Sequence, residues 1–326
     1  MKYLLNNESS MNPFDKMLQI TYYCKMQNRM KKISLWVLLV MMTGIVSAQS
    51  NASEIWLLDI VKKDNKTIAT NPYQMTQNDY YDNQPCFSAD GQFLYFVARP
   101  DTIQSDLYEF NIKKKIMRQI TNTPESEYQP QLMPYAKDKI SAVVVEMEGA
   151  QKLYEMKLDG SNLELLMPNE DSLAYYCWIN DTTSGAFMLN GAGGTLHQYD
   201  MIPQQSIILM EGGFGRCLSV IPGTILFTYV QKGSEGKNTM MKYDMTTEER
   251  MPMFEMLPGV EDYCWGPNEM IYAADNGVLF MLDSKVEGAK WMPIGDFSEN
   301  IGFFYRLAIN KTGDKMAIVT YKGEKP

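Results

Sequence analysis

Eight side chains in this 326-residue sequence are of types that bind or move charge, and all stand at one recurring point of it: Gln84, Glu127, Gln129, Tyr175, Arg216, Glu261, Asp262 and Arg306. Each lies at the start of a short β-rich run that returns six times, in the order Asn83-Gln84, Glu127 with Gln129, Tyr175-Tyr176, Gly215-Arg216, Glu261-Asp262 and Tyr305-Arg306. If the six runs converge on one axis, Arg216 and Arg306 face Glu127, Glu261 and Asp262 across one channel mouth, among amides and phenols. A guanidinium grips an oxyanion with two parallel hydrogen bonds. Mixed polar groups with aromatic walls suit a sugar, a peptide terminus or a zwitterion. The same set also reads as a ring of ion pairs that satisfies a polar channel and ties its walls together. Converging carboxylates permit general acid–base work on a glycan or peptide. Nothing in the sequence selects a catalytic pair, so no catalytic residue is assigned.

Other chemistry is narrower. His197 is the only histidine, which argues against zinc or manganese centres built from several imidazoles. It fills the slot held elsewhere by Trp56, Tyr108, Tyr154 and Phe280, and reads as an aromatic packing substitute. No metal site and no cofactor are expected. There is no Gly-x-Ser-x-Gly nucleophile turn. Gly213-Phe214-Gly215 lacks the third glycine and the helix of a nucleotide loop. Cys86, Cys177, Cys217 and Cys264 share one position in four of the six runs, where the other two carry Gln131 and Ala308. Neighbouring runs of this kind diverge beyond bridging distance, so these thiols are expected to be unpaired and buried as small apolar groups.

The elements that position these residues follow from a repeat of about 40 to 50 residues. Its first half reads apolar-aromatic-x-apolar-Asp/Asn, as in Ile55-Trp56-Leu57-Leu58-Asp59 and Leu107-Tyr108-Glu109-Phe110-Asn111, and it starts at 55, 107, 153, 196, 240 and 279. Its second half is two β-rich runs joined by a turn, best seen in Gln84-Pro85-Cys86-Phe87-Ser88-Ala89-Asp90-Gly91 followed by Gln92 to Val97. Repeats of this length with strand-like alternation mark a β-propeller, one four-stranded blade per repeat. The second half resembles the Pro-x-aromatic-Ser-Pro-Asp-Gly repeat of TolB-like propellers, a WD-repeat-like family, over about residues 53–321. The copies at 84–97 and 307–319 are good, and the middle ones have lost the Asp-Gly.

The expected fold is all-β: a six-bladed propeller with four antiparallel strands per blade, called a to d from the axis outward. The chain opens with a c–d pair (55–60 and about 66–76) and closes with an a–b pair (303–309 and 315–320), so the two ends complete one blade and close the ring. The resemblance implies an envelope role through protein contacts, as in the Tol system. No contact motif matches, so no partner-binding residue carries over.

Met30-Lys31-Lys32, the apolar run from Ile33 to Val46 and the small residues Val46-Ser47-Ala48 form a secretory signal peptide over 30–48. The run is too short for a comfortable membrane span, so no stable membrane insertion is expected after cleavage. Residues 1–29 read as a disordered upstream extension or a start assigned too early, and residues 49–326 as a single propeller. The first 48 residues hold six Lys/Arg and two Asp/Glu, leaving 24 basic against 37 acidic residues and a net charge of −13. Such a domain does not bind nucleic acid through general electrostatics. The expected protein is an exported, periplasmic or secreted binding or scaffold module whose partner is an envelope protein, a peptide or a saccharide. The alternative is a glycan- or peptide-processing hydrolase or lyase using carboxylates at the mouth.

Overall fold

A computed structural model describes residues 52–100, 103–191 and 193–321. The proposed signal peptide and the segment before it lie outside the described residues. Twenty-four strands follow one another along the described chain. Blade 1 is β3 (Tyr81–Phe87), β4 (Phe93–Arg99), β5 (Asp106–Asn111) and β6 (Ile116–Gln119). Blade 2 is β7 (Ser126–Leu132), β8 (Lys139–Val145), β9 (Gln151–Lys157) and β10 (Glu164–Leu165). Blade 3 is β11 (Leu173–Trp178), β12 (Thr183–Asn190), β13 (Gly193–Asp200) and β14 (Gln205–Glu211). Blade 4 is β15 (Phe214–Val220), β16 (Leu226–Gln231), β17 (Thr239–Asp244) and β18 (Glu249–Glu255). Blade 5 is β19 (Tyr263–Trp265), β20 (Met270–Asp275), β21 (Val278–Asp283) and β22 (Met292–Asp296). Blade 6 joins β23 (Phe304–Ile309) and β24 (Lys315–Tyr321) from the end of the chain to β1 (Ser53–Lys63) and β2 (Lys66–Gln74) from its start.

The joint in blade 6 is an unbroken antiparallel ladder from Ser53 opposite Tyr321 to Asp59 opposite Lys315. Lys315 Nζ also bonds the Asp59 carboxylate across it. One parallel bridge, Ser53 to Tyr81, links this blade to the first.

Side-chain alternation explains how the blades pack, since successive residues of a strand point to opposite faces. In β4, Leu94, Phe96 and Ala98 join the apolar cluster shared with blade 6, whereas Tyr95 and Val97 join that shared with blade 2. In β24, Met316 and Ile318 face blade 5, and Ala317 and Val319 face blade 1. Six apolar clusters fill the six junctions between neighbouring blades, the sixth-to-first junction included. Middle strands are buried on both faces, which is why they read as short continuous apolar runs. Each fully buried Leu, Ile or Phe contributes roughly 1.5–3 kcal/mol.

The two best sequence copies each turn at a left-handed glycine. Gly91 and Gly313 both take left-handed φ, +70° and +76°, which a Cβ disfavours. Asn310 Oδ1 accepts the backbone N–H groups of Gly313, Asp314 and Lys315. A Cβ on Gly91 would stand 3.1 Å from Asn310 Nδ2 of the neighbouring blade.

Candidate functional site

The innermost strand of each blade positions the site, and five of the six slip register near their first residues. The breaks fall between Asn83 and Cys86, Tyr128 and Gln131, Leu173 and Tyr175, Phe214 and Leu218, and Phe304 and Arg306. A bulge re-aims the side chains that follow it. In blades 1 and 2 the bulge is strained: Gln84 and Gln129 sit at φ +54° and +51°, a region that costs a non-glycine residue on the order of 1 kcal/mol or more, and each precedes a proline. Hydrogen bonds hold them there. The Gln129 N–H donates to Gln84 Oε1 at 2.7 Å, and Gln129 Nε2 donates to the Tyr176 carbonyl at 2.9 Å. Side chains therefore tie blade 1 to blade 2 and blade 2 to blade 3 around the axis.

The arginines continue this ring. Arg306 Nη1 donates to Asn83 Oδ1 at 3.0 Å, linking blade 6 to blade 1, and Asn83 Nδ2 donates to the Tyr305 hydroxyl at 2.5 Å. Arg216 Nη2 pairs with Asp262 Oδ2 at 3.0 Å, linking blade 4 to blade 5. The Arg306 guanidinium lies 5.8 Å from the ring centres of both Tyr175 and Tyr305, and that of Arg216 lies 5.6 Å from Tyr305. Burial works against both guanidinium charges, yet the nearby Asp262 carboxylate keeps each fully protonated.

Six of the eight residues singled out from sequence thus share one place. Gln84, Gln129, Tyr175, Arg216, Asp262 and Arg306 stand at one end of a funnel of about 510 Å³ that runs along the innermost strands and is lined by all six blades. Of the two readings of the mouth, an open polar site and a ring of ion pairs, the hydrogen bonds and the Arg216–Asp262 pair form a bonded partition. Beyond it, on the side where the innermost strands begin, is a smaller hollow of about 230 Å³, and Arg216 and Asp262 line both spaces. The hollow carries a stack of aromatic rings: Tyr305 and Tyr321 lie 4.3 Å apart and nearly parallel, with Phe303 beside them.

Glu127 stands elsewhere, and the expectation that it faces the arginines is corrected; Glu261 does not line the funnel but shares the small hollow with Arg216 and Asp262. Glu261 lines the small hollow and pairs with Lys232 Nζ at 2.7 Å. Glu127 is fully buried and accepts the hydroxyls of Thr121 and Thr123 at 2.8 and 2.6 Å. Its strand alternation turns it from the axis toward the loop that leaves blade 1. Burial pushes its carboxyl up to about 7 against those two hydroxyls, with Asp106 and Glu125 adding to the rise.

Sequence reasoning missed the funnel walls. Trp178 and Trp265 stand there on the tripeptides Tyr176-Cys177-Trp178 and Tyr263-Cys264-Trp265, two blades apart. Each tripeptide closes on one hydroxyl of the preceding blade. Thr228 Oγ1 donates to the Ser219 carbonyl at 3.0 Å and accepts Tyr263 Oη and Trp265 Nε1 at 2.7 and 2.9 Å. Ser141 Oγ donates to the Gln131 carbonyl and accepts Trp178 Nε1 at 2.8 Å, with the Tyr176 hydroxyl also at 2.8 Å. A hydroxyl has one donor and two acceptor sites, so Thr228 is fully used. The Tyr176 hydroxyl also reaches the Gln129 carbonyl at 3.2 Å, and each indole N–H is held by a hydroxyl of the preceding blade. The identical tripeptide in two repeats was the available signal. The four cysteines carry free thiols and also line the funnel; Cys177 is buried and the other three are half-buried. Burial raises the thiols of Cys86, Cys177 and Cys217 to about 11, 12 and 12, and that of Cys264 further. His197 is buried away from the funnel, 2.7 Å from Thr195 Oγ1, and burial lowers its pKa.

Four-stranded antiparallel blades packed around one axis define a six-bladed β-propeller. Its fold is that of the TolB-like propellers. TolB from Agrobacterium tumefaciens superposes with a TM-score of 0.61 at 12% identity, over 83% of this chain and 99% of that one. TolB from Acinetobacter baumannii gives 0.53 at 12% identity, over 85% of this chain and 66% of that one, so this chain spans about two thirds of that protein. An oligogalacturonate lyase from Vibrio parahaemolyticus gives 0.53 at 12% identity, over 76% and 80%. No family profile and no curated sequence matches the chain.

Proposed function

We propose that the protein is an exported binding module of the cell envelope and that the funnel is its ligand site. The observation that carries this reading is the funnel itself: a space of about 510 Å³ with a polar, bonded floor and walls bearing two fixed indoles. Binding sites are concave, mostly apolar and supplied with a few placed polar groups. The fold relatives support an envelope setting, and among the described residues no helix is long and apolar enough to cross a membrane. Partners remain those named from sequence: an envelope protein, a peptide or a saccharide.

The lyase fold relative keeps the enzymatic alternative in view, but the residue set favours binding. The carboxylates are parted between an ion pair, a lysine and two threonines.

Two experiments test the reading. A thermal-shift screen of peptides, saccharides and organic acids should yield a ligand whose effect is lost in Trp178→Ala; a screen in which no compound distinguishes the two proteins would sink the funnel as a site. Intact-mass analysis of exported protein should show a chain beginning at Gln49, and a product retaining residues 1–29 would count against export by this signal.

A further inference from the structure

The ionisable side chains lining the funnel are not a sample of the chain's overall charge. The whole sequence carries a net charge of −9. The funnel is lined by Arg216, Arg306 and Lys311 against a single carboxylate, Asp262, while burial keeps its thiols protonated. Asp262 is taken by Arg216 at 3.0 Å. Arg306 has no carboxylate at ion-pair distance among the described residues. It gives one hydrogen bond to the Asn83 amide oxygen, and its guanidinium carbon lies 5.8 Å from the ring centres of Tyr175 and Tyr305. A guanidinium has five N–H donors, so part of its fork is free for an oxyanion. Above it the walls turn apolar, with Leu132, Trp178, Leu218, Trp265 and Leu307. Ser88, Gln131 and Ser219 stand in the same lining, and an alkyl or aryl body would be desolvated against the fixed rings.

Resting on the reading of the funnel as a ligand site, we propose that it binds a small amphipathic anion: a carboxylate on an aryl or alkyl body, with its head on Arg306 and its body between the two indoles.

The test is calorimetric titration at pH 7 with four probes: 4-phenylbutyrate, 4-phenylbutanamide, 4-phenylbutylamine and D-galacturonate. The expected order puts 4-phenylbutyrate about tenfold or more ahead of the others, the size of one charge-assisted hydrogen bond. In Arg306→Gln the acid-to-amide ratio should fall to within about threefold. Because that ratio is taken within one protein, a loss of folded material does not alter it. Lys311→Gln, at the rim, should weaken the acid and leave the amide unchanged. The amine or galacturonate binding as well as the acid would overturn the ligand class and leave the funnel standing as a site. The ligand class falls in the same way if the ratio survives in Arg306→Gln, or if the four probes are silent while other compounds shift the wild-type protein and not Trp178→Ala. Silence from the probes and from the wider screen together would overturn both readings.

Discussion

Arg216 and Arg306 have the same charge and sit in the same ring, but they answer to different partners. Removing Arg216 leaves the largely buried Asp262 without its counter-ion. Arg216→Ala should therefore cost about 2 kcal/mol, below the figure for a fully buried pair because the Arg216 side chain keeps 38% of its exposure. Arg306→Ala removes one hydrogen bond to an amide, two ring contacts and the longer-range attraction of Asp262, but no close ion pair, and should cost about 1 kcal/mol. Urea unfolding of both variants checks the order, and a larger loss at Arg306 would make the partition a structural plug. Glu127 makes a separate prediction. Its folded pKa, about 7, lies above the ordinary 4.5. Its contribution is therefore fully present below about pH 4.5 and is lost as pH rises through about 7. Glu127→Gln keeps one oxygen to accept a threonine hydroxyl, turns an N–H donor toward the other, as the protonated acid does with its O–H, and removes the titration. It should be about 2–3 kcal/mol more stable than wild type at pH 8 and show no advantage at pH 4.5. Parallel pH dependence in the two proteins would show that Glu127 does not carry this proton.

Bulged innermost strands set what could be read from the sequence. A slip of one residue reverses which side chains face the axis, and no pattern in the chain marks where five of these strands slip. Starting-position logic therefore placed Glu127 with the arginines, although its alternation turns it outward. Gln84, Gln129, Tyr175, Arg216, Asp262 and Arg306 do line one space, and that they bind a ligand there is the proposal. The blades themselves were legible, because period-two alternation and turn residues are local signals. The walls were not, because Trp178 and Trp265 acquire their role only through a hydroxyl on the blade before. That dependence can be measured. Thr228→Val strips the acceptor from two buried donors, Tyr263 and Trp265, and should cost about 2–4 kcal/mol. Urea denaturation of Thr228→Val reads this directly. A loss below about 1 kcal/mol would mean that packing alone holds the indole.

At the scale of the whole molecule, stability depends on a joint between the two ends of the described chain. A chain truncated after residue 300 lacks β23 and β24, so β1 loses the ladder from Ser53 to Asp59 and two of the six apolar junctions lose part of their blade 6 side. It should unfold without a single cooperative transition in calorimetry; melting like the full chain would show that the remaining blades stand alone. This architecture was readable in the order of the motifs, with c–d first and a–b last, because closure is a matter of sequence order and needs no knowledge of side-chain contacts. The joint also has a consequence in time. Asp59 and Lys315 are 256 residues apart, and ribosomes extend a chain by about 5–20 residues per second. The first strand therefore waits on the order of 13–50 s for its neighbour. Until then it is an exposed edge that other chains can pair with. Anything that shields it during that interval, a chaperone or a secretion channel, would raise the yield of folded protein without changing the stability of the finished disc.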